Sequence, residues 1–326
     1  MRLRPSHARD RPAGDGGPPC PICAGTTWRI RRRIRRRWLA QCSGCALLRT
    51  LPVPTDAGQD FAGGTGARFR LAHQEVWQSQ AAARLDSLER LVRSLPAAAS
   101  PAGWEPGQGM RLLDVGASIG TLVAAARARG WDAIGVDADA EACRLARQRG
   151  LPVHHGFFGV PGTASRTASI PPASADAVMV GHVVEHVPDP VTFLSAVRTV
   201  LRPGGIALLI CPCAESLPAR LLGRWWFGYV EEQHHWHLTP ASLSACAALA
   251  GLSVVTADAR HTLHYESAPL GPLLPLVRGV LRLARALDRG DEVWVVAQRS
   301  GLAAEAESVS PQGASDRQAR PAPVAV

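Results

Sequence analysis

The 326-residue chain contains no lysine, so all 36 of its basic residues are arginine. A choice this one-sided fits a compositional bias as well as it fits selection for phosphate binding, which weakens any step from the net charge of +9 to nucleic acid. The charge is also local: twelve arginines against Asp10 and Asp15 place about +10 in the first 50 residues and leave the rest near neutral. No stretch approaches the roughly 18 uncharged apolar residues of a membrane-spanning helix. The arginine-rich start has no apolar run behind it, so a secretory signal is not expected. The eight cysteines show two tight pairs and no further pairing pattern, which argues against a disulfide framework and for a reducing compartment; a cytoplasmic protein is expected.

What is present is enough apolar material, 46% of residues against 19% charged, for a sizeable core. The length suits one domain of about 200 residues and a smaller module. Residues 1–18 and 301–326 lack periodicity and read as disordered ends. Residues 19–50 carry the cysteine pairs. Residues 67–95 have helical spacing through Leu71, Val76, Leu85, Leu88, Leu91 and Leu95, and form with the Pro/Gly-rich stretch 96–109 a connector over 51–109. Strands and helices then alternate over 110–300. Strands are expected at 111–115, 131–137, 153–158, 177–180, 206–211, 252–259 and 293–298. Helices are expected from about Ile119 to Gly130 and from Asp139 to Gly150, with two more starting at Asp189-Pro190 and Thr239-Pro240, where a capping side chain precedes a proline at the first helical position. The βαβα opening calls for a doubly wound, mostly parallel α/β sheet of seven strands.

Two motifs carry chemistry. Cys20-x-x-Cys23, eighteen residues, then Cys42-x-x-Cys45 is a spacing that closes a tetrahedral zinc site. Four thiolates leave no open position, so the zinc is expected to be structural, stapling a ribbon too small to fold on its own core. The alternative is four unrelated core cysteines. Between the pairs, the arginine-rich run 29–37 reads either as a solvated hairpin or as a patch for phosphates of RNA, a nucleotide-linked substrate or a membrane surface.

The second motif is Leu112-Leu113-Asp114-Val115-Gly116-Ala117-Ser118-Ile119-Gly120 at a strand-to-helix junction, with Asp137 closing the next strand 23 residues after Asp114. Small residues admit a cofactor close to the backbone, and an acidic side chain at that distance suits ribose hydroxyls. The Gly116-x-x-x-Gly120 spacing misses the phosphate-binding pattern, so a cofactor without a pyrophosphate is favoured. The same residues satisfy G-x-S-x-G, the elbow of α/β hydrolases, but several strands should precede an elbow and no HGGG-type element lies upstream.

The segments LLDVGASIGTLVAAARARGWDAIGVDAD, ADAVMVGHVVEHVPDP and VRTVLRPGGIALLICP, in this order and spacing, resemble the class I S-adenosylmethionine-dependent methyltransferases, in the branch of ubiquinone-biosynthesis-like and sugar methyltransferases. The resemblance implies that Asp114, Gly116, Ala117, Ser118 and Gly120 border the methionine end and ribose of S-adenosylmethionine, with Asp137 and Ala138 at the ribose. It further implies adenine near Gly156 and Phe157, His182 facing the pocket, and a last strand antiparallel between the fifth and sixth. Ser118 stands where many members carry glycine. His186, beside Glu185, reads as a catalytic base or as a support of the loop. The segment 214–238 should form a lid, with His234, Tyr229 and Glu232 as candidates for proton transfer and His237 as a companion, or as a packed cap without such a role. The apolar stretch 269–287 with Arg278, Arg282 and Arg285 reads as packing, a dimer contact or a peripheral membrane face. The leading expectation is methylation of a small molecule, plausible acceptors being a sugar, a nucleotide-linked sugar or another polar or lipid-linked metabolite. The alternatives are an RNA methyltransferase that clamps RNA with the ribbon, and a non-catalytic binding protein.

Overall fold

Strand and helix signals alternate because consecutive apolar runs must each be buried on both faces of a parallel sheet, which leaves the crossover helices to cover them. The computed structural model describes residues 18–34, 36–54, 65–94, 108–159, 170–226, 228–229, 233–260, 274–287 and 289–301. The expected disordered ends, apart from Pro18 and Gly301, lie outside the described residues, as do most of the 96–109 linker and Glu232.

The chain opens with strands β1 (Trp28–Ile34), β2 (Arg37–Cys42) and β3 (Leu48–Leu51), then helices α1 (Thr65–Ala72) and α2 (Gln74–Ser94). The alternating part runs β4 (Arg111–Val115), α3 (Thr121–Ala128), β5 (Asp132–Asp137), α4 (Ala140–Gln148), β6 (Val153–His155), β7 (Ala175–Gly181), α5 (Pro190–Val200) and β8 (Leu201–Pro212). It continues through α6 (Leu217–Leu222), β9 (Trp236–His237), α7 (Pro240–Leu249), β10 (Leu252–Arg260), α8 (Leu274–Ala286) and β11 (Glu292–Arg299). Helix starts follow the capping chemistry. Asp189 accepts from the amides of Val191 and Thr192, Asp139 from those of Glu141 and Ala142, and Thr239 forms a reciprocal box with Ser242.

Seven strands form one sheet in the order β10-β11-β8-β7-β4-β5-β6. The pairs among β4 to β8 are parallel, while β11 runs antiparallel to both β8 and β10, the reversal implied for the last strand. The strand order changes direction between β4 and β7, and there the loops diverge and open a crevice. One face of the sheet is covered by Leu85, Leu88 and Val92 of α2 packed with Leu112, Met179 and Trp294. The other face packs α5 and α7 against Val178, Leu209 and Val295, and this core runs on without a break into Trp28, Cys42 and Leu47 of the N-terminal module.

Some details differ from the sequence reading. The helix after β4 begins at Thr121, because Gly120 takes the left-handed conformation (φ 76°) just before it. The third strand stops at His155 rather than Phe158. The 67–95 helix is two helices broken at His73, so its apolar phase does not carry through: Leu85 and Leu88 are buried while Leu71 is exposed. The N-terminal module is not self-contained either, since β9 adds to the edge of β3 and gives a four-stranded sheet β1-β2-β3-β9.

Candidate functional site

The crevice at the strand-order reversal is lined by Asp114, Gly116, Ala117, Ser118, Gly181 and His182 from the sheet side, and by Arg70, Trp77 and Arg84 from α1 and α2. The turn after β4 bends sharply: Gly116 has φ 84°, and a Cβ there would collide with Val183, so no larger residue fits. Ser118 is also left-handed (φ 50°), and its amide donates to Asp137 Oδ2 at 2.7 Å while the Asp139 amide donates to Oδ1 at 2.7 Å. These bonds hold the carboxylate at the end of β5 against the turn. Burial pushes the Asp137 pKa up against those two amides, and burial pushes Asp114 up to about 7 against the opposing charge of Arg84. The cavity is about 80 Å³, well below the roughly 300 Å³ of a small-molecule site. The guanidinium of Arg70 reaches into it and donates to Ser118 Oγ at 2.6 Å.

Of the cofactor residues expected from sequence, Asp114, Gly116, Ala117, Ser118 and His182 line this cavity, and Asp137 is joined to it through the Ser118 amide. Gly156 lies beside Asp137, its amide donating to the Asp137 carbonyl at 2.9 Å, and the Ala138 carbonyl is 3.2 Å from His155 Nε2. Gly120 faces Leu151 and Val153 beneath the turn, and neither it nor Phe157 lines the cavity.

Two residues outside the sequence reading, Arg70 and Arg84, line the cavity, and a third, Glu292, stands behind it. Arg84 Nη2 lies 3.5 Å from Glu292 Oε1, and its Nε and Nη2 have no hydrogen-bond partner although they are buried. Glu292 is fully buried, accepting from Trp294 Nε1 at 3.1 Å and from His182 Nε2 at 2.7 Å. Burial alone would lower the His182 pKa, but Glu292 and Glu185 outweigh it and hold the imidazolium at about 9. Arg70 and Arg84 belong to helices whose existence was legible, but whose facing was not. Glu292 is the residue just before an expected strand, and only the reversed pairing of β11 brings it behind Arg84 and His182.

Beyond His182 the chain makes a single tight turn, Val184–His186. Glu185 is 2% exposed, and its backbone carbonyl accepts from the His235 amide at 2.8 Å. His186 Nδ1 is 3.2 Å from the Gln233 carbonyl and His234 Nδ1 is 2.9 Å from the Gly228 carbonyl. The two rings meet edge to face at 4.5 Å. Burial, then the neighbouring His234, drives His186 down to about 3, and burial lowers His234 as well. Glu185 is held at about 2: burial would raise it, but His182 and the other histidines more than compensate. His234 and His186 are therefore brought together. Tyr229 is not turned to this cluster: its hydroxyl accepts from Arg32 of β1, and its ring packs against Trp226 and His237.

In the N-terminal module the four sulfurs converge, with Cys20 Sγ to Cys45 Sγ at 3.4 Å, Cys23 Sγ to Cys42 Sγ at 3.5 Å, and all four within 4.8 Å of one another. Tetrahedral zinc with Zn–S near 2.3 Å requires sulfurs about 3.8 Å apart, so the set fits the ion. Each pair sits on the same kind of turn: Ala24 and Ala46 donate to the carbonyls of Cys20 and Cys42, both in left-handed conformation. The module is fixed to β9 by Arg49, 2% exposed, whose guanidinium lies 4.9 Å from the Trp28 ring and 4.8 Å from that of Trp236. Thr50 Oγ1 adds a 2.9 Å contact to His237 Nε2.

A methyltransferase-domain family model matches residues 60–257, more than half of the chain. The chain belongs to the class I S-adenosylmethionine-dependent methyltransferase family. Among its relatives, the ubiquinone biosynthesis O-methyltransferase of Cereibacter sphaeroides is 32% identical over 162 residues, covering 46% of this chain and 63% of that protein. The protein of the same description from Aeromonas salmonicida is 32% identical over 153 residues, covering 45% of this chain and 64% of its own. The chain thus spans a little under two thirds of these methyltransferase relatives. A solved complex of the Haloferax volcanii Trm112 methyltransferase activator with a methyltransferase shares the fold, with a TM-score of 0.53 at 16% identity over 74% of this chain and 97% of that one. No helix among the described residues is long and apolar enough to cross a membrane.

Proposed function

We propose that this methyltransferase binds S-adenosylmethionine in the β4–β7 crevice and transfers its methyl group to a small-molecule acceptor entering from the Glu185–His234 side. The observation that carries this reading is the joining of the Gly116 turn and the Asp137 carboxylate by the Ser118 amide at the strand-order reversal. The cofactor, when bound, supplies an electrophilic methyl group on a sulfonium. The protein's part is to hold, orient and exclude water. Asp137 accepts hydrogen bonds from the ribose hydroxyls. Arg84, half-buried with two buried guanidinium nitrogens lacking a hydrogen-bond partner, receives the carboxylate of the methionine end, and Asp114 accepts from its ammonium group. Arg70 must swing off Ser118 to make room, a motion its place on the short helix α1 permits. Gly156 and Phe157 stand on the adenine side.

On the acceptor side, His182 is cationic and serves as a hydrogen-bond donor rather than a base. The Glu185–His186–His234 cluster is the polar group nearest in the chain to that wall and is where acceptor activation is assigned. The curated relatives are named as ubiquinone biosynthesis O-methyltransferases, which supports a hydroxyl on a small molecule as acceptor. The four-cysteine site takes zinc as a structural ion. Clamping of RNA by the whole arginine run is less well supported, because Arg32 is engaged within the protein and Arg29, Arg31 and Arg33 are the ones exposed on β1.

The test is calorimetric titration of S-adenosylmethionine and S-adenosylhomocysteine into wild type and Asp137→Asn. Binding of both that weakens by at least roughly 10-fold in the variant supports the site, given about 1.5–3 kcal/mol for hydrogen bonds to a charged group. Absence of binding to wild type overturns the reading. Binding without turnover on a panel of hydroxylated small molecules would favour an inert cofactor-binding protein.

A further inference from the structure

Helix α2 turns one stripe to the crevice: Trp77, Gln80, Ala81 and Arg84 stand at the i, i+3, i+4 and i+7 spacing of a single helical face, and all of them line the cavity. Leu85 and Leu88, on the adjoining face, pack into the sheet core instead. Gln80 is 6% exposed, yet neither its Oε1 nor its Nε2 has a hydrogen-bond partner. A buried amide left unmatched at both atoms destabilises a fold, and a leucine would fill similar space without that cost. Arg70, which also reaches into the crevice, does not relieve it, since its guanidinium donates to Ser118 Oγ and lies 5.4 Å from the Trp77 ring. One helical turn beyond Gln80, the Nε and Nη2 of Arg84 are in the same unmatched condition. The stripe therefore presents an acceptor, a donor and a cation to the cavity, with nothing in the fold to use them.

We propose that Gln80 makes the site specific for ligands that carry an intact α-amino acid end, an inference that rests on the crevice taking S-adenosylmethionine. That end is a zwitterion: an ammonium, which only donates, and a carboxylate, which only accepts, are attached to one carbon. A primary amide is the matching side chain, because its acceptor and donor likewise flank one carbon. Oε1 accepts from the ammonium beside Asp114, and Nε2 donates to the carboxylate beside Arg84. Asp114 and Arg84 each read one charge, so neither registers the loss of the other. Gln80 is satisfied at both atoms only when both charges are present. An analogue lacking either leaves part of the amide buried and unpaired, which is how a polar site rejects a ligand that an apolar pocket would accept.

Gln80→Leu separates this role from a structural one, because the two predict opposite changes in stability. S-adenosylhomocysteine and 5′-methylthioadenosine, which lacks the amino-acid end, are titrated calorimetrically into the full-length wild type and variant, and both proteins are unfolded in urea without ligand. Affinity for S-adenosylhomocysteine should fall by roughly 10–100-fold, the range for hydrogen bonds to charged groups, while that for 5′-methylthioadenosine changes by less than about twofold. The urea midpoint of the ligand-free variant should equal or exceed that of wild type. A lower midpoint would show that the amide is matched within the fold, and overturns the proposal. Unchanged affinity for S-adenosylhomocysteine overturns it too, as does an equal loss for both ligands, which would mark general packing of the crevice. Wild type that binds S-adenosylhomocysteine beside an indifferent variant removes this inference alone, whereas wild type that binds neither ligand removes the cofactor reading with it.

Discussion

At the scale of single residues, the crevice depends on side chains that look unremarkable in the sequence. Arg84 is one arginine among 36, yet in the fold it is half-buried between Gly181 and Glu292, with its Nε and Nη2 buried and lacking a hydrogen-bond partner. Arg84→Met keeps the length and removes the charge, and should weaken S-adenosylhomocysteine binding by roughly 10–100-fold, the equivalent of about 1.5–3 kcal/mol for a charge-assisted contact. Unchanged affinity by calorimetry would assign Arg84 to Glu292 alone. Asp114 supplies a pH dependence. Its carboxyl titrates at about 7, so it is ionised above that value and protonated below, and a protonated acid no longer attracts the ammonium of the ligand. Affinity should therefore fall as pH drops from 8 to 6 with uptake of the carboxyl proton, and the slope should flatten in Asp114→Asn. A slope that survives in the variant would place the titrating group elsewhere. Asp137 was legible because a strand-end acid at that spacing has a known use; Glu292 was not, because its partner strand is fixed by the reversal of β11 and not by any local pattern.

At the scale of elements, the sequence was informative wherever a pattern was long. The strand at 111–115 has the expected limits, the glycines at 130, 150 and 251 all follow helix ends, and the capping residues before Pro190 and Pro240 make the expected bonds. The 67–95 segment was legible as helix but not as two, since no proline or glycine marks the break at His73. Strand β9 was invisible: two residues have no periodicity, and its partner β3 lies almost 190 positions earlier in the chain, with Leu48 opposite His237. The same α2 that carries Arg84 is anchored by Leu85, fully buried under the sheet. Leu85→Ala should cost about 2–5 kcal/mol in urea unfolding, as for other buried leucines. A loss below roughly 1 kcal/mol would mean that α2 is not firmly packed over the crevice.

At the scale of the whole molecule, the four-cysteine module and the segment that carries β9 share a sheet and a core, so the cysteine cluster and the proposed acceptor side are mechanically joined. Chelation of zinc should change the near-ultraviolet circular dichroism of the Trp28–Arg49–Trp236 stack yet shift the S-adenosylhomocysteine Kd by no more than about threefold, as expected for local loosening. Equal loss of both would show that the core common to the module and the sheet cannot survive without the ion. The exposed arginines of β1 lie on the outer edge of this joint. Binding of RNA through them would weaken steeply with salt, by a slope near 0.7 per phosphate contact for single strands, and salt-independent or absent binding would leave them as a solvated edge.

The two-residue strand β9 has a practical consequence for redesign. A 213–238 segment exchanged for that of a relative must still complete the edge of β3, and without an aromatic at position 236 Arg49 would lose one of its two aromatic faces. Exchange should therefore succeed only when residues 18–54 and 213–238 travel together as one cassette, although almost 160 residues separate them in the gene product.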